Sequence, residues 1–388
     1  MGTRSGRIPS SLLPNRLAET RARVGEVALD LTVSNPTVCG LPYPERLLEA
    51  LSHPRGLSYR PEPRGPRPAQ EAVAAWYRRW DVDVDPASVV LTASTSEAYS
   101  LLFKLLCDPG DVVIAPTPSY PLFDQLARLD AVRLHPLPLE EEDDWRLRLD
   151  AVTAAPPTAR AVIVVHPNNP TGSFVHPEDA EALVAACRDN ALALIADEVF
   201  LPFPLDGGPG AGTSFAAVRG CLTFTLGGIS KCLGLPQLKL AWIVVGGPDE
   251  AVRAALESLD YVADAYLSTS TPIALAAPEL LDAAAPVGSA IGERCRRNLA
   301  TLREAVSSLP AVTVPAIGGG WSVPIRLPAV IDEEELALRL LEDHGVAVHP
   351  GYLFDLPRSP ALVLSLLTPE NRWRAGIDAL LATIRAML

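Results

Sequence analysis

Between about residues 66 and 285 the chain alternates short apolar runs with longer amphipathic ones, and that alternation leaves few folds open. The runs 89–92, 112–115, 161–165, 192–196, 222–226 and 242–245 have the length of strands, and most are apolar on both faces. Strands of that kind belong to sheets covered by helices on each side, the usual setting of parallel sheets. Helical patterns fill the intervals. Residues 96–107 set Ala98, Leu101, Leu102, Leu105 and Leu106 on one stripe and stop at Asp108-Pro109-Gly110-Asp111. Residues 177–190 open with proline and acids and close on asparagine. The expected fold is α/β: a large domain with a mostly parallel sheet covered by helices on both faces.

After about residue 286 the alternation loosens. A polar helix over 292–309 leads to a strand at 321–327 and a helix at 332–344, then strands at 346–348 and 361–366 and a closing helix at 369–388. That pattern predicts a smaller α+β domain. The first 50 residues, with prolines at 9, 14, 36, 42 and 44, predict an arm over a larger body. The expected division is 1–50 for the N-terminal arm and part of the small domain, 51–285 for the large domain and 286–388 for the small C-terminal domain. A chain of 388 residues has room for it.

Thirty-three basic against 46 acidic residues give a net charge of −13, with the acids scattered rather than clustered. A nucleic acid or an acidic membrane is therefore not the expected partner. The opening residues lead into no apolar secretion signal, and the apolar runs fall well short of the ~20 residues a membrane helix needs. The six cysteines form no C-x-x-C pair and several sit in apolar patterns, as free thiols of a reducing cytoplasm would. The histidines show no metal spacing; His166, His176 and His349 all precede proline and read as loop residues, so no metal is expected.

Only three lysines occur: Lys104, Lys231 and Lys239. A chain that uses arginine for almost every cation keeps lysine where an amine must lose its proton, which arginine cannot do. Lys104 lies in a helical pattern. Lys231 and Lys239 stand eight residues apart in a glycine-rich stretch.

Ligands of open α/β sheets bind beyond the carboxyl ends of the strands. Ala93-Ser94-Thr95-Ser96, Pro116-Thr117-Pro118-Ser119-Tyr120, His166-Pro167-Asn168-Asn169-Pro170-Thr171-Gly172, Asp197-Glu198 and Gly227-Gly228-Ile229-Ser230-Lys231 follow five of the strands. They offer a helix N-terminus with hydroxyls, an aromatic ring, a carboxamide, a carboxylate and an amine. That set suits a phosphorylated pyridine aldehyde, which needs an amine for a Schiff base and a carboxylate for its ring nitrogen, with donors for its phosphate and hydroxyl and a face to stack on.

The order and spacing resemble the class I/II aminotransferases, pyridoxal-phosphate enzymes of fold type I. The resemblance rests on N-N-P-T-G at 168–172, D-E-V-F at 197–200 and S-K-C-L-G-L-P at 230–236, and extends from Ser34-Asn35-Pro36 to Leu364-Ser365. It implies pyridoxal 5'-phosphate as cofactor, Lys231 as the Schiff-base lysine and proton carrier, Asp197 on the pyridine nitrogen, Asn169 on the ring hydroxyl and Tyr120 stacked on the ring. Ser94, Thr95, Ser96 and Lys239 would hold the phosphate, Lys239 standing where the family usually places an arginine, and Ser230 would also bind the cofactor. Tyr59 matches a tyrosine that reaches the partner subunit's phosphate, which implies a homodimer with shared active sites. Ser34 and Trp321 would line the substrate site.

Three positions depart from the family. Phe200 replaces a tyrosine that donates to the ring oxygen, so the internal Schiff base should keep its proton to higher pH. Gly228 replaces a serine. Val363 stands where an arginine binds the substrate carboxylate; Arg326 and Arg358 are the nearest replacements. The expected activity is transfer of an amino group between an amino acid or related amine and a 2-oxo acid. The alternative is a lyase or bond-forming enzyme on the same scaffold, which Val363 favours; a cofactor-binding regulatory or pseudo-enzyme module is a third class, and the intact lysine argues against a dead enzyme.

Overall fold

The computed structural model describes residues 5–9, 11–267, 269–358 and 360–388. Eight strands form the large sheet in the spatial order Val89–Thr92, Ala241–Gly246, Thr223–Gly228, Ala193–Asp197, Ala159–Val165, Val112–Thr117, Arg133–Glu140 and Arg146–Leu147. Six run in one direction; Ala241–Gly246 and the short Arg146–Leu147 run against them. The mostly parallel sheet expected from the apolar runs is what forms.

The two-residue period of the strands sends neighbouring side chains to opposite layers. Val113, Ala115, Ala161, Ile163 and Ile195 pack with helices Thr95–Leu106, Leu122–Leu129 and Asp249–Tyr266. Val112, Ile114, Val162, Val164 and Leu194 pack on the other face with helix Pro177–Asp189. Near the sheet's first strand, helices Arg67–Tyr77 and Thr271–Ala283 cover Val89, Leu91, Trp242 and Val244.

The strand Arg133–Glu140 was hidden in the sequence by Pro136 and Pro138. The Arg133 N–H donates to the Asp111 carbonyl of the neighbouring strand. By alternation, the nitrogens of Pro136 and Pro138 therefore face away from that neighbour and its ladder is kept, while on the other side the Pro138 carbonyl accepts the Arg148 N–H at 3.0 Å.

A second sheet, antiparallel and in the order Ser322–Arg326, Ala361–Ser365, His349–Pro350, packs with helices Ala285–Val306, Glu333–His344 and Glu370–Met387. Leu31, Cys39 and Leu41 of the N-terminal segment enter the same core, and Leu29–Asp30 pairs in parallel with Val346–Ala347. Among the described residues no helix is long and apolar enough to cross a membrane, and all six cysteines are free thiols.

Candidate active site

The carboxyl ends of the parallel strands bring the chemistry-bearing residues to one edge. Val165 pairs with Asp197 and Asp197 with Leu226, so the 166–172 loop, Asp197 and the Gly228–Lys231 turn start side by side. Ala241 pairs with both Thr92 and Gly228, which sets Lys239, two residues earlier, at the same edge as Ser94 and Ser230.

Asp197 ends its strand, buried. Its Oδ1 accepts the Val199 N–H at 3.2 Å and its Oδ2 the Tyr99 hydroxyl at 3.0 Å. Burial raises its carboxyl to about 6, against the pull of Val199, Tyr99 and Lys231 toward the ionised form. Lys231 lies half-buried on the short helix Ile229–Cys232. Burial lowers its affinity for a proton and Asp197 raises it, with burial prevailing. Glu198 faces elsewhere, accepting the Ser214 hydroxyl at 2.7 Å and the Phe215 N–H at 2.6 Å.

Ser94 caps helix Thr95–Leu106, its Oγ accepting the Glu97 N–H at 3.1 Å. Glu97 returns to the Ala93 N–H at 2.6 Å. Among the described residues the N–H groups of Thr95 and Ser96 have no partner, so the helix start presents two free donors and its dipole to an anion. Lys239 is exposed, with no ion-pair partner among the described residues; Lys104, by contrast, is tied to Asp130 and Ser100.

Asn168 donates to the Pro118 carbonyl at 3.1 Å and to the Thr171 hydroxyl at 3.0 Å, which locks the loop bearing Tyr120 to the loop bearing Asn169. Tyr120 leaves 49% of its surface exposed, an open aromatic face. Asn169 Oδ1, Asn168 Oδ1 and Ser119 Oγ are buried without a partner among the described residues. Unpaired buried polar atoms are expensive, and three on adjoining loops fit a polar guest rather than an apolar one. The donor helix, the open ring, the carboxylate, the amine and these atoms together fit pyridoxal phosphate.

Sequence reasoning missed two residues. Tyr99 sits in the apolar stripe of a helix, where nothing marks its hydroxyl as a donor to Asp197. His166 was expected as a loop residue; it is buried, its Nδ1 accepting the Val175 N–H at 3.0 Å and its Nε2 meeting the Thr213 carbonyl at 3.3 Å. Burial pushes it down to about 4, so it serves as a neutral tie at the start of the Asn169 loop. Replacing Tyr99 by Phe removes a donor that favours the Asp197 carboxylate. The carboxyl then protonates at higher pH, and the acid limb of the pH–rate profile is expected to move up by about one unit. An unmoved limb would show that Tyr99 only fills space.

The run Gly318-Gly319-Gly320 has a packing reason. A Cβ on Gly318 would come within 2.9 Å of the Gly172 and Gly207 carbonyl oxygens, and one on Gly319 within 2.8 Å of the Phe203 carbonyl oxygen. This close approach lets the Gly319 N–H reach Gly172 and the Gly320 N–H reach Phe203, each at 2.9 Å, and it delivers Trp321 beside Phe200 and Phe203. Ser34 is exposed between two anchors: the Ser365 hydroxyl donates to the Val33 carbonyl, and Pro36 packs near Gly234, whose carbonyl accepts the Tyr43 hydroxyl at 2.6 Å. Gly228 has little room for a side chain, since a Cβ there would lie 3.0 Å from that of Ala241.

The two arginines expected to replace the carboxylate-binding one both hold acidic partners in this structure. Nε and Nη2 of Arg326 donate to Glu141, Nε at 2.8 Å, and its Nη1 donates to the Arg358 carbonyl at 2.8 Å. Arg358 itself pairs with Glu142. Val363 is buried opposite Pro324. Tyr59 is 70% exposed and lines, with Arg55, Arg60 and Leu267, a hollow of about 100 Å³.

Comparison with known proteins accords with this geometry. The model of the family "Aminotransferase class I and II" matches residues 29–375. Alanine aminotransferase of Mycobacterium tuberculosis is 27% identical over 379 residues, covering 92% of this chain and 85% of that protein. Capreomycidine synthase of Streptomyces vinaceus is 31% identical over 301 residues, covering 77% and 76%. The crystal structure of an aminotransferase from Escherichia coli superposes with a TM-score of 0.86 at 22% identity, over 98% of each chain, and shows the same fold. The chain belongs to the class I and II aminotransferases, enzymes that work with pyridoxal phosphate.

Proposed function

We propose that this aminotransferase carries pyridoxal 5'-phosphate on Lys231 and moves an amino group between an amino acid or related amine and a 2-oxo acid. The observation that carries the reading is the meeting of Lys231 and Asp197, an amine whose proton affinity burial lowers and a carboxylate whose proton affinity burial raises, at one sheet edge. When bound, the cofactor supplies an electrophilic carbonyl carbon and an electron-accepting ring. Asp197 offers a buried carboxylate to hold a proton on the ring nitrogen. Thr95 and Ser96 offer amides, and Ser94, Ser230 and Lys239 polar or charged groups, to the phosphate. Lys239 brings a point charge rather than a fork. Asn169 offers its carboxamide to the ring hydroxyl and Tyr120 its open face. Lys231, once its amine is free, takes a proton from the substrate carbon and returns it.

Most of these relatives' names, capreomycidine synthase excepted, favour transamination over the lyase alternative. Those names, glutamate-pyruvate aminotransferase and arginine–pyruvate transaminase among them, make pyruvate as acceptor, with glutamate or arginine as donor, the first pairs to try. The exposed Leu57 and Tyr59, and Leu267 beside Tyr59, support a homodimer in which Tyr59 reaches the partner's site. Free buried thiols fit a cytoplasmic setting.

The test is a visible spectrum of the full chain with pyridoxal phosphate, before and after a panel of amino acids and plain amines, with sedimentation of the same sample. The expected result is a visible band on a dimer, lost with at least one donor as a 2-oxo product accumulates. A band that no donor converts would sink the transaminase reading, and no band at all would sink the cofactor site.

A further inference from the structure

Lys231 Nζ lies over two aromatic rings, 5.3 Å from the centroid of Trp321 and 5.9 Å from that of Phe200. The rings come from different parts of the chain. Phe200 follows the strand that ends at Asp197, and Trp321 immediately precedes the strand Ser322–Arg326 of the second sheet. They meet edge to face at 5.4 Å, and Phe203 backs Trp321 at 5.3 Å. All three are buried.

An aliphatic side chain would fill this corner with less penalty. Trp321 Nε1 is buried with no hydrogen-bond partner among the described residues, a defect that leucine or phenylalanine would not carry. What the indole adds over them is the strongest π face for a cation. Among the described residues the charged group acting on Lys231 is Asp197. The other ionisable groups nearby are turned to other partners: Tyr99 donates to Asp197, Glu198 accepts from Ser214 and Phe215, and Tyr43 donates to the Gly234 carbonyl.

We propose that Trp321 and Phe200 are positioning residues whose faces hold the Lys231 ammonium whenever the amine is free and protonated. The inference rests on Lys231 being the reactive amine of the proposed function. Burial alone favours the neutral amine, which can attack a carbonyl but cannot keep a proton. The rings and Asp197 act in the opposite sense, giving the proton a place to wait on Nζ instead of passing to water.

The lysine count makes the test direct. Acetic anhydride labelling of the cofactor-free full chain across a pH series, read by peptide mass spectrometry, follows each of the three lysines separately, with Lys104 and Lys239 as internal references. In Trp321→Leu the midpoint for Lys231 is expected to fall by about one pH unit, because the ammonium loses its face. Trp321→Phe should keep most of the original midpoint, and Phe200→Leu should give a smaller fall, its ring being the more distant. An unmoved midpoint in folded Trp321→Leu, or a fall in Trp321→Phe as large as in the leucine variant, overturns the proposal. Should Trp321→Leu fail the near-UV circular dichroism check for folding, Phe200→Leu decides, and an unmoved midpoint there overturns it equally. Absence of a visible band when wild-type protein meets pyridoxal phosphate would refute the function reading by itself, since the labelling is done without cofactor.

Discussion

Lys231→Ala is expected to lose at least a thousandfold in transamination rate and to show no band from covalently held cofactor, while melting within a few degrees of wild type. Two contributions vanish together: the nucleophile that forms the bond, and the base that moves the proton, itself worth about 10²–10⁴-fold in typical enzymes. Lys231→Arg separates charge from chemistry. It keeps a cation near Asp197 and the Trp321 face but offers no amine that can lose its proton, so it should be as inactive as the alanine variant. Lys104 and Lys239 cannot substitute, being held on Asp130 and exposed at the strand edge respectively. The visible spectrum and a coupled assay of 2-oxo product check both variants. A residual rate within tenfold of wild type would remove Lys231 from the chemistry.

Lys231, Asp197 and Asn169 could be picked out from sequence because each follows an apolar run that has the length of a strand, and strand ends at one edge must converge. Lysine scarcity added a second, independent pointer. Tyr99 was not legible: a tyrosine on the apolar stripe of a helix looks like core, and only the stacking of Thr95–Leu106 against the sheet puts its hydroxyl on Asp197. The engaged state of Arg326 and Arg358 was hidden for a related reason. Their partners Glu141 and Glu142 follow a strand that Pro136 and Pro138 disguised, so nothing in the sequence placed acids beside those arginines. The glycine run before Trp321 advertised a close approach, but not which carbonyls it approaches. Composition and periodicity resolve layers and strand ends; contacts between residues about a hundred or more positions apart need the packed structure.

Asp197→Asn is expected to make the cofactor-free protein more stable and the enzyme far less active. The two effects have one cause. A carboxyl raised from an ordinary value of 3.8 to about 6 is penalised for ionising in the folded chain. The folded state therefore binds more protons than the unfolded one between those values, and stability falls as pH rises through that window. Above pH ~6 the penalty is complete, about 3 kcal/mol from the size of the shift; below pH ~4 it is absent. Asparagine cannot ionise, yet its Oδ1 can still accept the Val199 N–H and its Nδ2 can donate to the Tyr99 hydroxyl, so geometry is kept. Urea denaturation should show the variant gaining up to about 3 kcal/mol at pH 7–8, and the gain should disappear as pH falls toward 4. Activity should drop on the order of a hundred- to a thousandfold, the range for removing one preorganised electrostatic partner of a reacting group. The visible band should survive, because Lys231 still anchors the cofactor, and that distinguishes this variant from Lys231→Ala. A gain in stability that does not depend on pH would mean that the buried carboxylate is not its source. Full activity would mean that the ring nitrogen is served by some other group. Stability lost to keep an ionised carboxylate in a dry site is what a residue chosen for chemistry rather than packing looks like.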